Sequence, residues 1–181
     1  MKLIVGLGNP GKQHGKTRHN IGWVILDKLV ETLGLSLSDF KNSNNAQAYY
    51  LKTKINGEEI EFLKPNNFMN NSGFAVQYAF KKHPELNPES DLFVIHDDKD
   101  IPLGEIKIQK DKSSAGHNGV QSIINHIKTQ DFTRVRVGVA PVNPKHMGDT
   151  AKFVLKKFGM FEKKKVNEVV SKAIKEIENF I

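Results

Sequence analysis

Hydrophobic residues along this chain change repeatedly from short apolar runs to helical spacing, which predicts strands and helices that interleave. Residues 2–7 form a brief apolar run ended by glycine, typical of a buried strand. Apolar side chains then recur at helical spacing over residues 21–33, and a glycine ends that pattern. Two further apolar runs, 46–55 and 58–64, flank Asn56-Gly57, which is a strong signal for a β-hairpin.

The second half of the chain continues this alternation. We expect strands over 92–95, 105–108 and 135–139, and helices over 72–82, 119–127, 149–157 and the amphipathic C-terminal segment 166–181. Interleaved elements with one hairpin indicate a single α/β domain over residues 1–181, a three-layer α/β/α sandwich with a mixed, mostly parallel sheet. The loops after Leu7, Lys64 and Ile95 follow strands, and functional loops gather at the carboxyl ends of such strands.

Composition and charge narrow the classes of partner. The chain has 181 residues and a formal net charge of +7, and a basic surface favours phosphate-rich partners such as nucleic acid. It has no cysteine, so neither a disulfide framework nor a thiolate metal site is available. Because no apolar run approaches the roughly 18 residues of a membrane helix, we expect a cytoplasmic protein without a membrane anchor.

A glycine pattern, Gly6-Leu7-Gly8-Asn9-Pro10-Gly11, follows the first strand and matches the fingerprint of a dinucleotide site. That fingerprint needs a helix to begin at its third glycine, so that the pyrophosphate lies at the helix N-terminus. Here apolar periodicity begins only at Ile21, and Pro10 lacks a backbone donor. The context therefore disfavours a nicotinamide or flavin site, and we expect no cofactor.

His19 lies between this loop and the helix, where an imidazole can act as a base if a carboxylate orients its other nitrogen. Asp97 and Asp98 follow a predicted buried strand, and either is in a position to supply that carboxylate, with Asp97 preferred. A Mg²⁺ or Zn²⁺ site built from the same residues is the alternative. The sequence contains no strong metal-ligand pattern such as HExxH, so we expect no metal.

Two polar segments offer substrate contacts. Four asparagines flank Phe68 and Met69 in the segment 66–73. In one interpretation Phe68 is exposed and stacks on a base. In the other, Asn70, Asn71 or Ser72 caps a helix, and Phe68 and Met69 are buried in the core. The segment Gly116-His117-Asn118-Gly119 precedes a helix. It offers backbone amides to an anion, or it is simply capped by Asn118.

Taken together, these segments resemble the bacterial peptidyl-tRNA hydrolase family. The matching stretches occur in the family's order and are Ile4-Val5-Gly6-Leu7-Gly8-Asn9-Pro10-Gly11, Thr17-Arg18-His19-Asn20-Ile21-Gly22, Phe68-Met69-Asn70-Asn71-Ser72-Gly73, His96-Asp97-Asp98-x-Asp100, Gly116-His117-Asn118-Gly119 and Arg134-Val135-Arg136-Val137-Gly138. Six segments in register are far more specific than any one of them.

The resemblance implies a monomeric, metal-independent enzyme that hydrolyses the ester between a peptide and the 3′ end of tRNA, binding the 3′ CCA end and the acceptor stem. It implies that His19 is the general base, that Asp97 orients it, and that Asn9 helps to distinguish N-blocked from free aminoacyl groups. Substrate or tRNA contacts are implied at Phe68, Met69, Asn70, Asn118, His117, His14 and Arg136.

The chain departs from the family pattern at a few positions. His14 stands where family members usually carry tyrosine, and Gln109 falls near the second member of a basic pair whose first member is Arg136.

Two alternative functions remain open at this point. One is a non-catalytic RNA-binding protein on the same fold, and the other is a dinucleotide-dependent oxidoreductase. Retention of His19 with Asp97 favours the hydrolase, because RNA binding alone needs no base–acid pair.

Overall fold

A seven-stranded mixed sheet runs through the computed structural model, which describes residues 1–141 and 143–181. The strands are β1 (Lys2–Gly6), β2 (Lys41–Ser43), β3 (Ala48–Ile55), β4 (Glu58–Pro65), β5 (Leu92–Pro102), β6 (Ile106–Gln109) and β7 (Thr133–Ala140). Their order in the sheet is β2-β3-β4-β1-β5-β7-β6. The central four strands, β4, β1, β5 and β7, are parallel, while β2, β3 and β6 pair antiparallel at the two sides.

Helices cover both faces of this sheet, which confirms the predicted three-layer architecture. The α-helices are α1 (Ile21–Thr32), α2 (Ser72–Lys82), α3 (Pro88–Asp91), α4 (Asn118–Ile127), α5 (Thr150–Val154) and α6 (Lys163–Glu178). One buried cluster joins α1 and α6 to the first face, and a second joins α2 and α4 to the opposite face. Within the described ranges, no helix has the length and hydropathy needed to cross a membrane.

The predicted hairpin is confirmed at Asn56-Gly57, where both residues have positive φ angles of 50° and 86°. This conformation is that of the turns whose twist matches two antiparallel strands. The predicted helix over 72–82 is confirmed with the same bounds. The 3₁₀ helices of the chain lie at Arg18–Asn20, Leu37–Asp39, Met69–Asn71, Pro144–His146 and Met160–Glu162.

Two differences from the predicted elements concern the sheet. Strand β5 extends to Pro102, beyond the expected end at Ile95, because Asp97 and Asp98 continue to pair with β7. The acidic residues after Ile95 therefore lie within a strand rather than in the loop expected there. Strand β2 was missed because its three residues, Lys-Asn-Ser, are polar and too few to show alternation.

Gly22 allows α1 to lie directly on the sheet. A Cβ atom at this position would overlap the carbonyl oxygen of Ile95 and the backbone of Leu7, so any larger side chain forces the helix outward. His19 precedes this contact by three residues and Asp97 follows Ile95 by two. The close packing of α1 on β1 and β5 therefore brings the two side chains together.

Candidate active site

A cavity of about 220 Å³ opens where β5, α4 and α5 approach the start of α1. It is lined by His19, Asp97, Asp98, Lys99, Ser114, Ala115, Gly116, His117, Asn118, Thr150, Ala151 and Val154. Five of the residues singled out from the sequence share this cavity, namely His19, Asp97, Asp98, His117 and Asn118. It lies beyond the point where β1 ends beside β5, as expected for an α/β sheet.

The cavity contains an imidazole paired with a buried carboxylate. His19 Nδ1 lies 2.7 Å from Asp97 Oδ1, and Asp97 is only 3% exposed. Since a carboxylate accepts hydrogen bonds, this contact places the proton of a neutral His19 on Nδ1 and leaves the lone pair on Nε2. The arrangement can accept a proton from a bound water and stabilise the imidazolium that forms. Of the two candidate carboxylates, the structure brings Asp97 to His19.

His117 is the second imidazole on the same carboxylate oxygen, with Nε2 3.0 Å from Asp97 Oδ1. Its Nδ1 accepts from the backbone N–H groups of Gly119 and Val120, at 3.1 and 3.2 Å, at the first turn of α4. Because Nδ1 is an acceptor, the proton of His117 is on Nε2 and is donated to Asp97. Asp97 therefore receives two N–H donors and is held in one orientation.

These contacts explain the ionisation of Asp97. Burial opposes the charged form of Asp97. The His117 and His19 imidazoles nevertheless hold the pKa of Asp97 well below its ordinary value, because they donate hydrogen bonds to the carboxylate and attract it electrostatically when they are protonated. The carboxylate is consequently ionised throughout the physiological pH range. It can stabilise positive charge on His19 at any pH where the base is needed.

His96 packs behind this pair, with its ring edge on the His117 ring at 4.7 Å between centroids. Its Nδ1–H donates to the backbone oxygen of Asp97 at 2.8 Å. Burial, which penalises the charged form, lowers the pKa of His96 well below its ordinary value, and the neighbouring His117 imidazole acts in the same direction. His96 is therefore a neutral, buried support for the backbone that carries Asp97.

This buried histidine predicts a pH dependence of stability. The folded-state pKa of His96 lies below its unfolded value of about 6.5, so below that pH the unfolded chain takes up a proton that the folded chain refuses. Stability from neutral His96 is thus present above about pH 6.5 and falls by up to about 1.4 kcal/mol per pH unit below it. His96→Asn retains a donor near Nδ1 and should flatten the decrease in melting temperature between pH 7 and pH 5. Equal slopes for both proteins would contradict this.

His19, Asp97 and His117 form the one candidate metal cluster found in the described part of the chain, with ligand atoms within 4.8 Å of one another. The orientation of His117 disfavours metal binding. A metal on its Nε2 requires the proton to move to Nδ1, where it would face the two amide N–H groups of α4. The hydrogen bonds of these three residues therefore disfavour Mg²⁺ or Zn²⁺ at this position, and the metal-independent site stays a prediction.

Asn9 is fixed from three sides. Asn20 accepts a hydrogen bond from the Asn9 backbone N–H and donates one to the Asn9 carbonyl oxygen, both at 2.9 Å. Asn9 Oδ1 accepts from the Met69 backbone N–H at 2.8 Å. The group that Asn9 can offer to a substrate is consequently its amide NH₂. Asn20 was not predicted as a site residue, and only its place directly after His19 could have indicated it.

The asparagine-rich segment splits between the two interpretations offered for it. Phe68 is 63% exposed, whereas Met69 is buried and its sulfur packs against Gly119 at the start of α4. Asn70 is exposed in the 3₁₀ turn that precedes α2.

The expectation of simple capping by Asn118 is wrong, because His117 is the cap of α4 and Asn118 is its first helical residue. Asn118 is thereby left to face the cavity.

Arg136 and His14 lie outside the cavity lining. Arg136 pairs with Asp98 through Nε and Nη2, each at 2.7 Å, and its Nη1 contacts Gln109. Asp98 itself lines the cavity, so Arg136 is one side chain away from it. His14 is half-buried in the turn after Gly11, and this turn leads to a 3₁₀ helix rather than to the helix that a dinucleotide fingerprint requires.

Fold and site together define a class of protein. An imidazole is oriented by a buried carboxylate beside the parallel strands of a three-layer α/β sandwich, in a cavity that also presents the amide side chain of Asn118. This is the arrangement of a hydrolase that activates water with a general base.

The chain belongs to the peptidyl-tRNA hydrolase family, whose model matches residues 3–181. It is 42% identical to the peptidyl-tRNA hydrolase of Aquifex aeolicus over 175 residues, which cover 97% of this chain and 87% of that relative. It is also 42% identical to the peptidyl-tRNA hydrolase of Thermodesulfovibrio yellowstonii, covering 98% of this chain and 90% of that one. A crystal structure of peptidyl-tRNA hydrolase from Acinetobacter baumannii matches with a TM-score of 0.85 at 30% identity, over 98% of this chain and 87% of that chain.

Proposed function

We propose that this protein hydrolyses the ester between a peptide and the 3′ end of tRNA, with His19 as the general base and Asp97 as the residue that orients it. The observation that carries the proposal is the 2.7 Å contact between His19 Nδ1 and Asp97 Oδ1, which leaves Nε2 as the basic atom at the cavity. Membership of the family supplies the substrate class. The geometry supports the roles that we assign to the residues.

The reaction proceeds by direct attack of water. His19 Nε2 removes a proton from a water molecule as its oxygen attacks the ester carbonyl carbon, and Asp97 stabilises the imidazolium. The tetrahedral intermediate then expels the 3′ oxygen of the terminal ribose, which receives the proton from His19. The products are a free peptide carboxylate and tRNA with its hydroxyl restored. General-base catalysis contributes about 10²–10⁴-fold to this rate, and positioning contributes further.

Amide side chains provide the donors for the substrate. Asn118 lines the cavity at the first turn of α4, and Asn9 presents its amide NH₂ beside Met69. The backbone N–H groups of Gly119 and Val120 are already bonded to His117, so they are not free to hold an oxyanion. We therefore assign carbonyl and oxyanion stabilisation to Asn118, which lines the cavity, recognition of the N-blocking amide to Asn9, and peptide contact to the exposed Asn70 and Phe68.

The tRNA contacts follow from charge and position. A net charge of +7 favours the phosphate backbone, and Arg136, with Asp98 between it and the cavity, is our candidate for a phosphate of the acceptor stem. We extend substrate contact to His117, Met69 and His14, the last in place of the usual tyrosine. We further propose that the protein acts as a monomer in the cytoplasm, where translation generates peptidyl-tRNA.

The test is release of N-acetylated aminoacyl groups from tRNA, with unblocked aminoacyl-tRNA as the control substrate. We expect hydrolysis of the blocked substrate alone, because the free NH₂ group of Asn9 can donate to the amide of the blocking group, which the unblocked substrate lacks. Activity should survive a strong chelator, because His117 is in the tautomer that disfavours a metal. A folded protein that binds tRNA without hydrolysing the ester would overturn the proposal in favour of non-catalytic RNA binding.

A further inference from the structure

Two consecutive large apolar side chains protrude from the short turn that precedes α6. Phe161 is 100% exposed and Met160 is 78% exposed, and Leu155 nearby is also exposed. The hydrolytic mechanism uses none of these residues. Contiguous exposed apolar side chains on a folded protein mark an interaction site more often than chance.

The same segment carries most of its charge as lysine. Lys156, Lys157, Lys163, Lys164 and Lys165 are all exposed. The one acidic residue between Leu155 and Lys165, Glu162, forms an ion pair with Arg18 and so does not oppose them. The surface formed by residues 155–165, here called the Phe161 surface, therefore combines apolar side chains with positive charge. Its charge is complementary to a phosphate backbone.

This surface is held rigidly beside the catalytic base. Arg18 Nη2 bonds both carboxylate oxygens of Glu162, at 2.8 and 2.7 Å, and Nη1 donates to the carbonyl of Lys157 at 2.7 Å. The Arg18 guanidinium also lies over the rings of Phe153 and Phe158. Arg18 directly precedes His19, and Glu162 directly follows Phe161. The ion pair between Arg18 and Glu162 therefore joins the residue next to the base to the residue next to the exposed ring.

We propose that Phe161 stacks on an unpaired nucleotide of the tRNA 3′ end, with the surrounding lysines contacting its phosphates; this proposal rests on the proposed function. Bases within a helix are covered by their neighbours, so an aromatic side chain can stack only on unpaired ones. Thr150, Ala151 and Val154 of α5 line the cavity that contains His19, and residues 155–160 connect this wall to Phe161. A 3′ end that leaves the cavity along α5 with its ester at His19 therefore runs toward Phe161.

A membrane surface fits these observations less well. An interfacial helix inserts a stripe of apolar residues into the bilayer. Five apolar residues of α6 are buried against the sheet, namely Val169, Val170, Ala173, Ile174 and Ile177, and the sixth, Val166, packs partly buried on the same cluster, which leaves no such stripe. The exposed apolar side chains sit instead on a turn, where a single rigid ring with two rotatable bonds is suited to stacking.

The experiment compares Phe161→Ala with the wild type in binding uncharged tRNA, using intact tRNA and tRNA without its last three unpaired nucleotides. We expect Phe161→Ala to weaken binding of intact tRNA by about 5- to 100-fold and to leave binding of the shortened tRNA unchanged. The salt dependence of binding should keep its slope, because no charge is removed. Phe161→Tyr should retain wild-type affinity, and Leu37→Ala, an apolar surface change in the 3₁₀ helix after α1, should have no effect.

Kinetics separate this proposal from the proposed function. With N-acetyl-aminoacyl-tRNA, Phe161→Ala should raise KM by a similar factor and leave kcat unchanged. Absence of hydrolysis by the wild type would overturn the proposed function, while the binding comparison would still test Phe161. Equal affinity of Phe161→Ala and wild type for intact tRNA would overturn the stacking proposal. A second result would also overturn it: the wild type binds vesicles containing one-third phosphatidylserine, and Phe161→Ala loses this binding but keeps wild-type affinity for tRNA. That result would assign the surface to a membrane.

Discussion

His19→Ala is expected to lower kcat for N-blocked aminoacyl-tRNA by about 10²–10⁴-fold while changing the affinity for uncharged tRNA little. The substitution removes the atom that accepts the proton of water, but it leaves the basic surface and the amide side chains in place. His19 is partly exposed at the cavity, so its truncation should not unfold the protein. Single-turnover hydrolysis and equilibrium binding, measured on the same preparation, check the two halves of this result.

The chain offers a matched control in His83. This histidine also has a carboxylate partner, with Nδ1 3.2 Å from Glu85 Oε1, but it lies after α2 and does not line the cavity. His83→Ala should therefore hydrolyse at the wild-type rate. If His19→Ala lost binding and rate in equal measure, His19 would be a substrate contact rather than a base.

Asp97→Asn is expected to reduce kcat to nearly the level of His19→Ala. His19 and His117 both donate to Asp97 Oδ1, so the amide of the variant either keeps its oxygen at this position or turns its NH₂ group toward both rings. With the oxygen there, His19 keeps its tautomer but its imidazolium loses the negative charge that stabilises it. With the NH₂ there, the proton of His19 moves to Nε2, and the nitrogen at the cavity is no longer basic. Both orientations lower kcat, and the comparable substitution in serine-protease triads reduces kcat by about 10⁴-fold.

Asp98→Asn controls for the loss of a neighbouring carboxylate. It breaks the ion pair with Arg136 but leaves the contact between His19 and Asp97, so kcat should change by a few-fold at most. The measurement is kcat at saturating substrate, with melting temperature to establish folding. Full activity of Asp97→Asn would show that His19 needs no orienting carboxylate.

Much of the architecture could be predicted because its signals are local. Helical spacing over 21–33, the Asn56-Gly57 turn and the helix over 72–82 all depend on residues near one another in the chain, and each was confirmed. The gathering of loops at one edge of the sheet follows from the parallel strands β1, β4 and β5. The resemblance of six short segments then indicated the family, which the match over residues 3–181 confirms.

The remaining features depend on contacts between distant parts of the chain. The extension of β5 requires β7 as its partner, and the clamp of Arg18 on Glu162 spans 144 positions. No periodicity reveals that His117 caps α4 and at the same time donates to Asp97. Likewise, an asparagine directly after a catalytic candidate gives no sign that it holds the backbone of Asn9.

The central claim is that His19 and Asp97 act as one unit, and a double-mutant cycle tests it most directly. Single-turnover rates on N-acetyl-aminoacyl-tRNA would be compared for wild type, His19→Ala, Asp97→Asn and the double variant. Because Asp97 acts only through His19, the double variant should be no slower than His19→Ala, within about threefold. The mechanism would be contradicted if the two rate losses multiplied, so that the double variant was slower than His19→Ala by the full factor that Asp97→Asn causes alone. That result would show that Asp97 contributes by a separate route.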